Sequence, residues 1–293
     1  MNSITLVSHA KVNLTLEVGH KREDGYHDLD SVAQIIDIND ELTVAKAGDG
    51  IIEISSDAEG VPLGSSNLAH KACRLFFEAT GIRAGAKCSL VKRIPVQAGL
   101  GGGSGNAAAA IVALNELYEC GLPAEQLVEI VSRVGSDAPL FVYGGTVRMR
   151  MRGERVERLP DAPELRLVVV KPDAGVSTAR AYAQLDELPD RRARGASDAA
   201  ERAVRARDRD ALIASMYNDF DLVVSQAFDE ITRARRLLSE SGAEAVLLAG
   251  SGSAVFGVFP TNEAAQAAAD RLRSEFGDVF ATRTLPRPIA PNL

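Results

Sequence analysis

Between Pro95 and Asn106 the chain reads Pro-Val-Gln-Ala-Gly-Leu-Gly-Gly-Gly-Ser-Gly-Asn, and an alanine-rich run, Ala107-Ala-Ala-Ala-Ile-Val-Ala-Leu114, follows at once. Gly99, Gly101, Gly102 and Gly103 free the backbone to turn through positive φ and to approach an anion closely, and the alanines then favour helix. The preceding Lys87-Cys-Ser-Leu-Val-Lys-Arg-Ile94 reads as a strand, which gives the order strand, glycine loop, helix. Free N–H groups at such a helix start face a phosphate. Glycine runs are more often turns or linkers. Here no serine-rich or charged spacer surrounds the run, and apolar segments flank it closely on both sides. Neither standard nucleotide template fits: no lysine follows Gly103 as a Walker loop requires, and no acidic ribose ligand closes a second strand about 20 residues on.

The 293 residues suit two domains, and a hydrophobic content of 46% is ample for buried cores. With 33 basic against 40 acidic side chains, the net charge of -7 argues against nucleic acid or an anionic membrane as a partner. A small anion can still be held locally. Cys73, Cys88 and Cys120 form no close pair along the chain and no metal-ligand spacing, and their odd number fits a reducing compartment, so they read as core or surface thiols. The start, Met1-Asn-Ser-Ile-Thr5, lacks a basic region followed by an apolar run. A soluble, cytoplasmic protein is expected.

Along the chain, residues 4–18 and 41–55 read as strands, and Asn67–Thr80 as an amphipathic helix punctuated by Asn67 and Gly81. After the glycine loop a helix is predicted to about Cys120 and another over Ala124–Val134. Residues 147–163 are charged and turn-rich, and a domain boundary is placed there, dividing the chain into 1–158 and 159–293. Beyond it, strands are expected at 165–170, 245–248, 254–259 and 279–284, with helices over 178–188, 221–241 and 262–276. Residues 191–210 mix charges densely, as a solvated helical face or loop does. Interleaved in this way, the elements suggest an α+β sandwich.

Four smaller features carry possible chemistry. Lys11 and Asn13, two apart on an alternating strand, share a face; an edge-strand lysine is the ordinary alternative. Asp137, in Gly135-Ser-Asp-Ala-Pro139, is held in a turn-like connection, although a turn or cap aspartate is the commoner explanation. Tyr26 and His27 leave the polar turn that starts at Arg22 and suit a planar heterocycle, whereas the scattered histidines show no zinc spacing. Ala249-Gly-Ser-Gly-Ser253 offers amides for an anion but alone reads as a hairpin turn.

Taken together, Ala10-Lys-Val-Asn-Leu14, Arg22-Glu-Asp-Gly-Tyr-His27, Ile94 to Ser104, Gly135-Ser-Asp-Ala-Pro139 and Ala249 to Phe256 resemble the GHMP small-molecule kinases over most of the chain. Within that family they resemble the branch that phosphorylates the 2-hydroxyl of a cytidine diphosphate ester of methylerythritol. The resemblance implies a two-domain α+β fold: an N-terminal domain like ribosomal protein S5 domain 2, a ferredoxin-like C-terminal domain, and a cleft between them. It implies ATP as donor, Asp137 as acceptor of the hydroxyl proton and Lys11 as the charge that holds this carboxylate ionised. Pro95, Gly99, Leu100, Gly101, Gly102, Gly103, Ser104 and Asn106 would bind ATP. Asn13, Tyr26, His27, Thr178, Tyr182, Gly250, Ser251 and Gly252 would bind the substrate, with Tyr182 covering the cytosine face opposite Tyr26 and His27. Mg2+ would ride on the ATP phosphates beside Ser104, with no protein ligand assigned, and the enzyme would work as a monomer or weak homodimer. Two positions depart from the family pattern: Gln97 replaces a glycine, and Gly105 stands where a second serine is common. They imply added bulk at the loop and one hydroxyl fewer near phosphate. Another GHMP kinase, acting on mevalonate-type or amino-alcohol substrates, and a non-catalytic nucleotide-binding homologue are the alternatives; retention of both Lys11 and Asp137 argues against the second.

Overall fold

Apolar alternation and β-branched residues build two long strands, β1 (Ser3–Lys21) and β2 (His27–Ala47), paired antiparallel across the turn at Arg22. The computed structural model describes residues 1–188 and 195–287. The chain continues through β3 (Ile52–Ser56), α1 (Leu68–Thr80), β4 (Gly85–Val91), α2 (Gly102–Leu117), α3 (Ala124–Ser132), α4 (Ala138–Tyr143), β5 (Thr146–Met151) and β6 (Arg155–Arg158). Then come β7 (Arg166–Lys171), α5 (Thr178–Asp186), α6 (Ala196–Ala206), α7 (Arg209–Ser215), β8 (Tyr217–Asn218), α8 (Val224–Ala227), α9 (Asp229–Glu240), β9 (Ala245–Leu248), β10 (Val255–Phe259), α10 (Asn262–Leu272) and β11 (Asp278–Arg283).

The first sheet runs β3-β4-β2-β1-β8, with the β5–β6 hairpin also on β2. A second, four-stranded antiparallel sheet has the order β11-β7-β10-β9. Strand alternation divides the packing: Leu167 and Val169 face a core shared with Ala10, Val12 and Leu14 of β1, while Val168 and Val170 face α9 and α10. Because Ala10, Val12 and Leu14 are committed to that shared core, Lys11 and Asn13 point the other way. The alanine-rich α2 is buried nearly all round, since small side chains let neighbours close in on every face.

Three expectations change. The strand over 4–18 extends to Lys21, and residues 28–40, unassigned from sequence, belong to β2. The charged stretch at 147–163 contains the β5–β6 hairpin, in which Val147 and Met149 are buried and the intervening arginines find carboxylates. The single helix over 221–241 is broken into a 3-10 turn at Asp219–Leu222, α8 and α9, because Phe228 is extended. Residues 195–210 are mostly helical, in α6 and α7, and 191–194 lie outside the described residues. Cys73 and Cys88, distant in sequence, meet with sulfurs 3.7 Å apart between α1 and β4; the hydrogen bond to Cys88 and then burial push the Cys73 thiol well up.

Arg148 of β5 ties the two halves together. Its guanidinium, 5% exposed, donates to both oxygens of Asp30 at 2.8 and 2.6 Å and reaches Glu201 at 2.6 Å and Asp198 at 2.7 Å on α6. These bonds hold Asp198 and Glu201 below the usual carboxylate range. Depressed folded values mean stability that is present above the ordinary carboxylate pKa and lost as pH falls through the lowered values. Arg148→Ala is expected to cost about 2–3 kcal/mol near neutrality. Its acid-induced loss between about pH 5 and 3 should be shallower than in the wild type, as urea denaturation over a pH series would read.

Candidate active site

Lys11 is 3% exposed, and no solvent-facing edge lysine would be so placed. Its Nζ donates to Asn13 Oδ1 at 2.7 Å and lies 3.2 Å from Asp137 Oδ2. Asn13 in turn donates to Ser31 Oγ at 2.8 Å, and the Ser31 hydroxyl donates to the Thr15 carbonyl at 2.6 Å, so the pair's orientation is locked into β1 and β2. Asp137 precedes α4 at the N-cap position, yet its carboxylate makes no cap hydrogen bond. It therefore turns to Lys11 and stays 36% exposed, open to an incoming hydroxyl.

The glycine loop closes the edge of β1 beside this pair, with the Lys11 amide donating to the Leu100 carbonyl at 2.9 Å. Gly99 is obligatory, because a Cβ there would lie 2.0 Å from the carbonyl oxygen of Ala249. The loop and the 249–253 turn thus interlock, and the Ala254 amide donates to the Ala98 carbonyl at 3.1 Å. Gly101, at φ 74, starts α2 without a side-chain cap, and a Cβ there would meet Phe141 and Lys11. Gly102, Gly103 and Ser104 form the uncapped first turn, which leaves their amides for an anion. Gly105 corrects an expectation: a Cβ there would stand 2.7 Å from Ser8 Oγ, so position 105 serves close packing of helix on strand and faces away from the loop's mouth.

Asp40 is the residue that sequence reading missed. Fully buried, it accepts from the Arg93 and Ile94 amides at 2.8 Å each, from Lys92 Nζ at 2.7 Å and from Asn106 Nδ2 at 3.1 Å. One carboxylate thereby fastens the strand exit before the loop to the helix after it. Burial pulls the Lys92 ammonium below its ordinary value, with Asp40 opposing. Asn106 lines the loop's cleft, but its amide is committed to Asp40. The only signal was an aspartate inside a strand pattern, at the end of Asp37-Ile-Asn-Asp40.

A cleft of about 850 Å³ lies over Lys11 and Asp137, bounded by Tyr26, His27, Tyr182, Thr178 and the Gly250–Gly252 turn. Beside it a 280 Å³ cleft follows the loop from Pro95 to Ser104, with Leu68 and Leu90 across from it. Gln97, Gly99 and Gly101 line both. At the far end His27 Nε2 meets Asp186 Oδ1 at 2.8 Å and its ring stacks on Tyr182 at 4.8 Å. No planar group fits between those two rings; Tyr26 is exposed, with the Arg152 guanidinium 3.8 Å from its ring centroid. Burial, and secondarily the charge of Asp137, push the Tyr182 phenol up to about 12, so it stays protonated near neutrality. Thr178 and Ser251 share a 2.9 Å hydrogen bond, and Asn218 holds the turn by donating to the Leu248 and Gly250 carbonyls at 2.8 Å each. All the residues expected from sequence thus gather at two joined clefts.

The family model described as GHMP kinases N terminal domain matches residues 67–145, and that described as GHMP kinases C terminal matches residues 200–278. The chain belongs to the GHMP kinase family. A 4-diphosphocytidyl-2-C-methyl-D-erythritol kinase of Pelotomaculum thermopropionicum is 41% identical over 96% of this chain and 98% of its own length. One of Moorella thermoacetica is 39% identical over 97% of this chain and all of its own, 100%. A crystal structure of 4-(cytidine 5'-diphospho)-2C-methyl-D-erythritol kinase superposes with a TM-score of 0.78 at 32% identity, covering 96% of this chain and 99% of that one. Homoserine kinase from Cytophaga hutchinsonii, at 19% identity and a TM-score of 0.76, shares the GHMP kinase fold. The two-domain α+β architecture expected from the resemblance is therefore the one observed. Among the described residues no helix is long and apolar enough to cross a membrane.

Proposed function

We propose that this GHMP kinase transfers the terminal phosphoryl group of ATP to the 2-hydroxyl of 4-diphosphocytidyl-2-C-methyl-D-erythritol, in the non-mevalonate route to isoprenoid precursors. The observation that carries the reading is the Lys11–Asp137 pair, 3.2 Å apart in the larger cleft, with Lys11 packed beside Gly101, which lines both clefts. Asp137 takes the hydroxyl proton as the substrate oxygen bonds to phosphorus and the bond to ADP breaks, and Lys11, 3.2 Å from the carboxylate, orients it and offsets charge on the moving group. The amides of the α2 first turn hold the phosphates, and positioning supplies much of the rest.

Mg2+ fits this site as a passenger. Among the described residues no group of three His, Cys, Asp or Glu side chains comes together as a metal cage, and a hard cation bound mainly by phosphate and water needs none. Ser104, half-buried in the loop cleft, is the side chain proposed to stand beside it. Pro95 and Leu100 would flank the donor as the loop's apolar wall. The cytidine is assigned to the end bounded by Tyr26, His27 and Tyr182, with Asn13, Thr178 and the Gly250-Ser251-Gly252 turn along the diphosphate and polyol. Residues 1–158 and 159–293 are proposed as the two domains, in a cytoplasmic enzyme that is a monomer or weak homodimer without nucleic-acid or membrane partners.

The test is phosphoryl transfer from ATP to the full substrate and to methylerythritol phosphate lacking its cytidine. The truncated acceptor is expected to lose at least about 100-fold in kcat/KM, since remote binding contributes to turnover. Equal turnover of the two would refute the cytidine site.

A further inference from the structure

Gln97 holds a backbone conformation that its side chain disfavours. Its φ is 56, in the left-handed region, which costs a non-glycine residue strain that the surroundings must impose. Here they do: Ala98 is buried and pinned by Ala254, and Gly99 is wedged against Ala249. A glycine at 97 would satisfy this geometry without strain. The side chain is exposed and lines both the cleft over Lys11 and Asp137 and the cleft of the glycine loop. Among the described residues its carboxamide makes no hydrogen bond, so two N–H donors and one acceptor stand free at the junction.

We propose that the Gln97 carboxamide is a substrate-contacting residue, donating to an oxygen of the phosphoryl group that passes between the two clefts. The inference rests on the phosphoryl-transfer reading above, because the group common to both clefts is then the one being moved. A neutral amide suits that place. It offers donors to phosphate oxygens without competing with Lys11 for Asp137, whereas a carboxylate would repel them and an aliphatic chain would offer nothing.

The test compares Gln97→Gly and Gln97→Glu with wild type in thermal unfolding, in ATP binding by calorimetry and in steady-state kinetics. Gln97→Gly is expected to unfold at higher temperature because the strain is gone, while kcat/KM for ATP falls about 10-fold through loss of a hydrogen bond to a charged group. Gln97→Glu should retain the wild-type fold and lose more activity than Gln97→Gly. Wild-type kinetics, within about two-fold, in both variants would overturn the contact. So would a Gln97→Gly variant whose stability and activity fall together, since that pattern marks a structural role. Should wild type transfer no phosphate to the cytidine substrate, the functional reading fails by itself, and ATP affinity in the glutamate variant still decides the contact: unchanged affinity counts against it, weakened affinity for it.

Discussion

Asp137→Asn is expected to lower kcat by about 10²–10⁴-fold while ATP still binds. The substitution preserves size and leaves an oxygen for the Lys11 ammonium, now 3.2 Å from the carboxylate. It removes the one thing an amide cannot supply, an oxygen that accepts the hydroxyl proton as the phosphoryl group leaves ADP. Folding should survive, because Asp137 makes no cap hydrogen bond to α4 and is 36% exposed. Nucleotide affinity should also survive, since the loop amides of Gly102 and Gly103 and the anchor at Asp40 are untouched. Single-turnover transfer and calorimetric titration with ATP read these separately. Wild-type turnover in the variant would remove Asp137 from the role of base, and lost ATP binding would show that the variant disturbs more than the proton acceptor.

Local signals made much of this site legible. Alternation in β1 placed Lys11 and Asn13 on one face, and their 2.7 Å hydrogen bond follows from it. Asn67 and Gly81 marked the ends of α1, where Asn67 accepts from the Ala69 and His70 amides and Gly81 takes φ 70. The glycine run and alanine run specified loop and helix. Features that depend on distant pairing were not legible. Residues 28–40 lack a clean alternation because β2 is a central strand, with β1 on one edge and first β5, then β4, on the other, and because both its faces are buried, Val32 and Ile36 packing into one core and Ala33 and Ile35 into another. The hairpin at β5–β6 was hidden by arginines that look solvated until their carboxylates on β2 and α6 are brought across. Asp40 shows nothing in its neighbourhood of the four donors it collects from residues 92–106. His27, read as a free ligand for a base, is spoken for by Asp186, a partner 159 residues away.

Asp40→Ala is expected to cost about 3–5 kcal/mol, because removing one partner of a buried pair strands the other charge. Lys92, with its side chain 8% exposed, would be left with only the Ile94 carbonyl, and the Arg93 and Ile94 amides and the Asn106 carboxamide would lose their acceptor. Asn106 Oδ1 already lacks a partner, so the cluster has no reserve with which to re-pair. Asp40→Asn should cost less, since one oxygen remains for the backbone amides although the charge opposite Lys92 is gone. The double variant Asp40→Ala, Lys92→Met should recover part of the loss, as removing both members of a buried pair is milder than removing one. The functional consequence follows from where those donors sit. Because Asp40 joins the strand exit at 92–94 to the start of α2, its loss slackens the glycine loop, and Asp40→Asn should raise KM for ATP more than it lowers kcat. Urea denaturation of all three variants, with ATP kinetics for the asparagine one, separates the two effects. A full-strength fold in Asp40→Ala would show that the loop is held by its interlock with Ala249 instead.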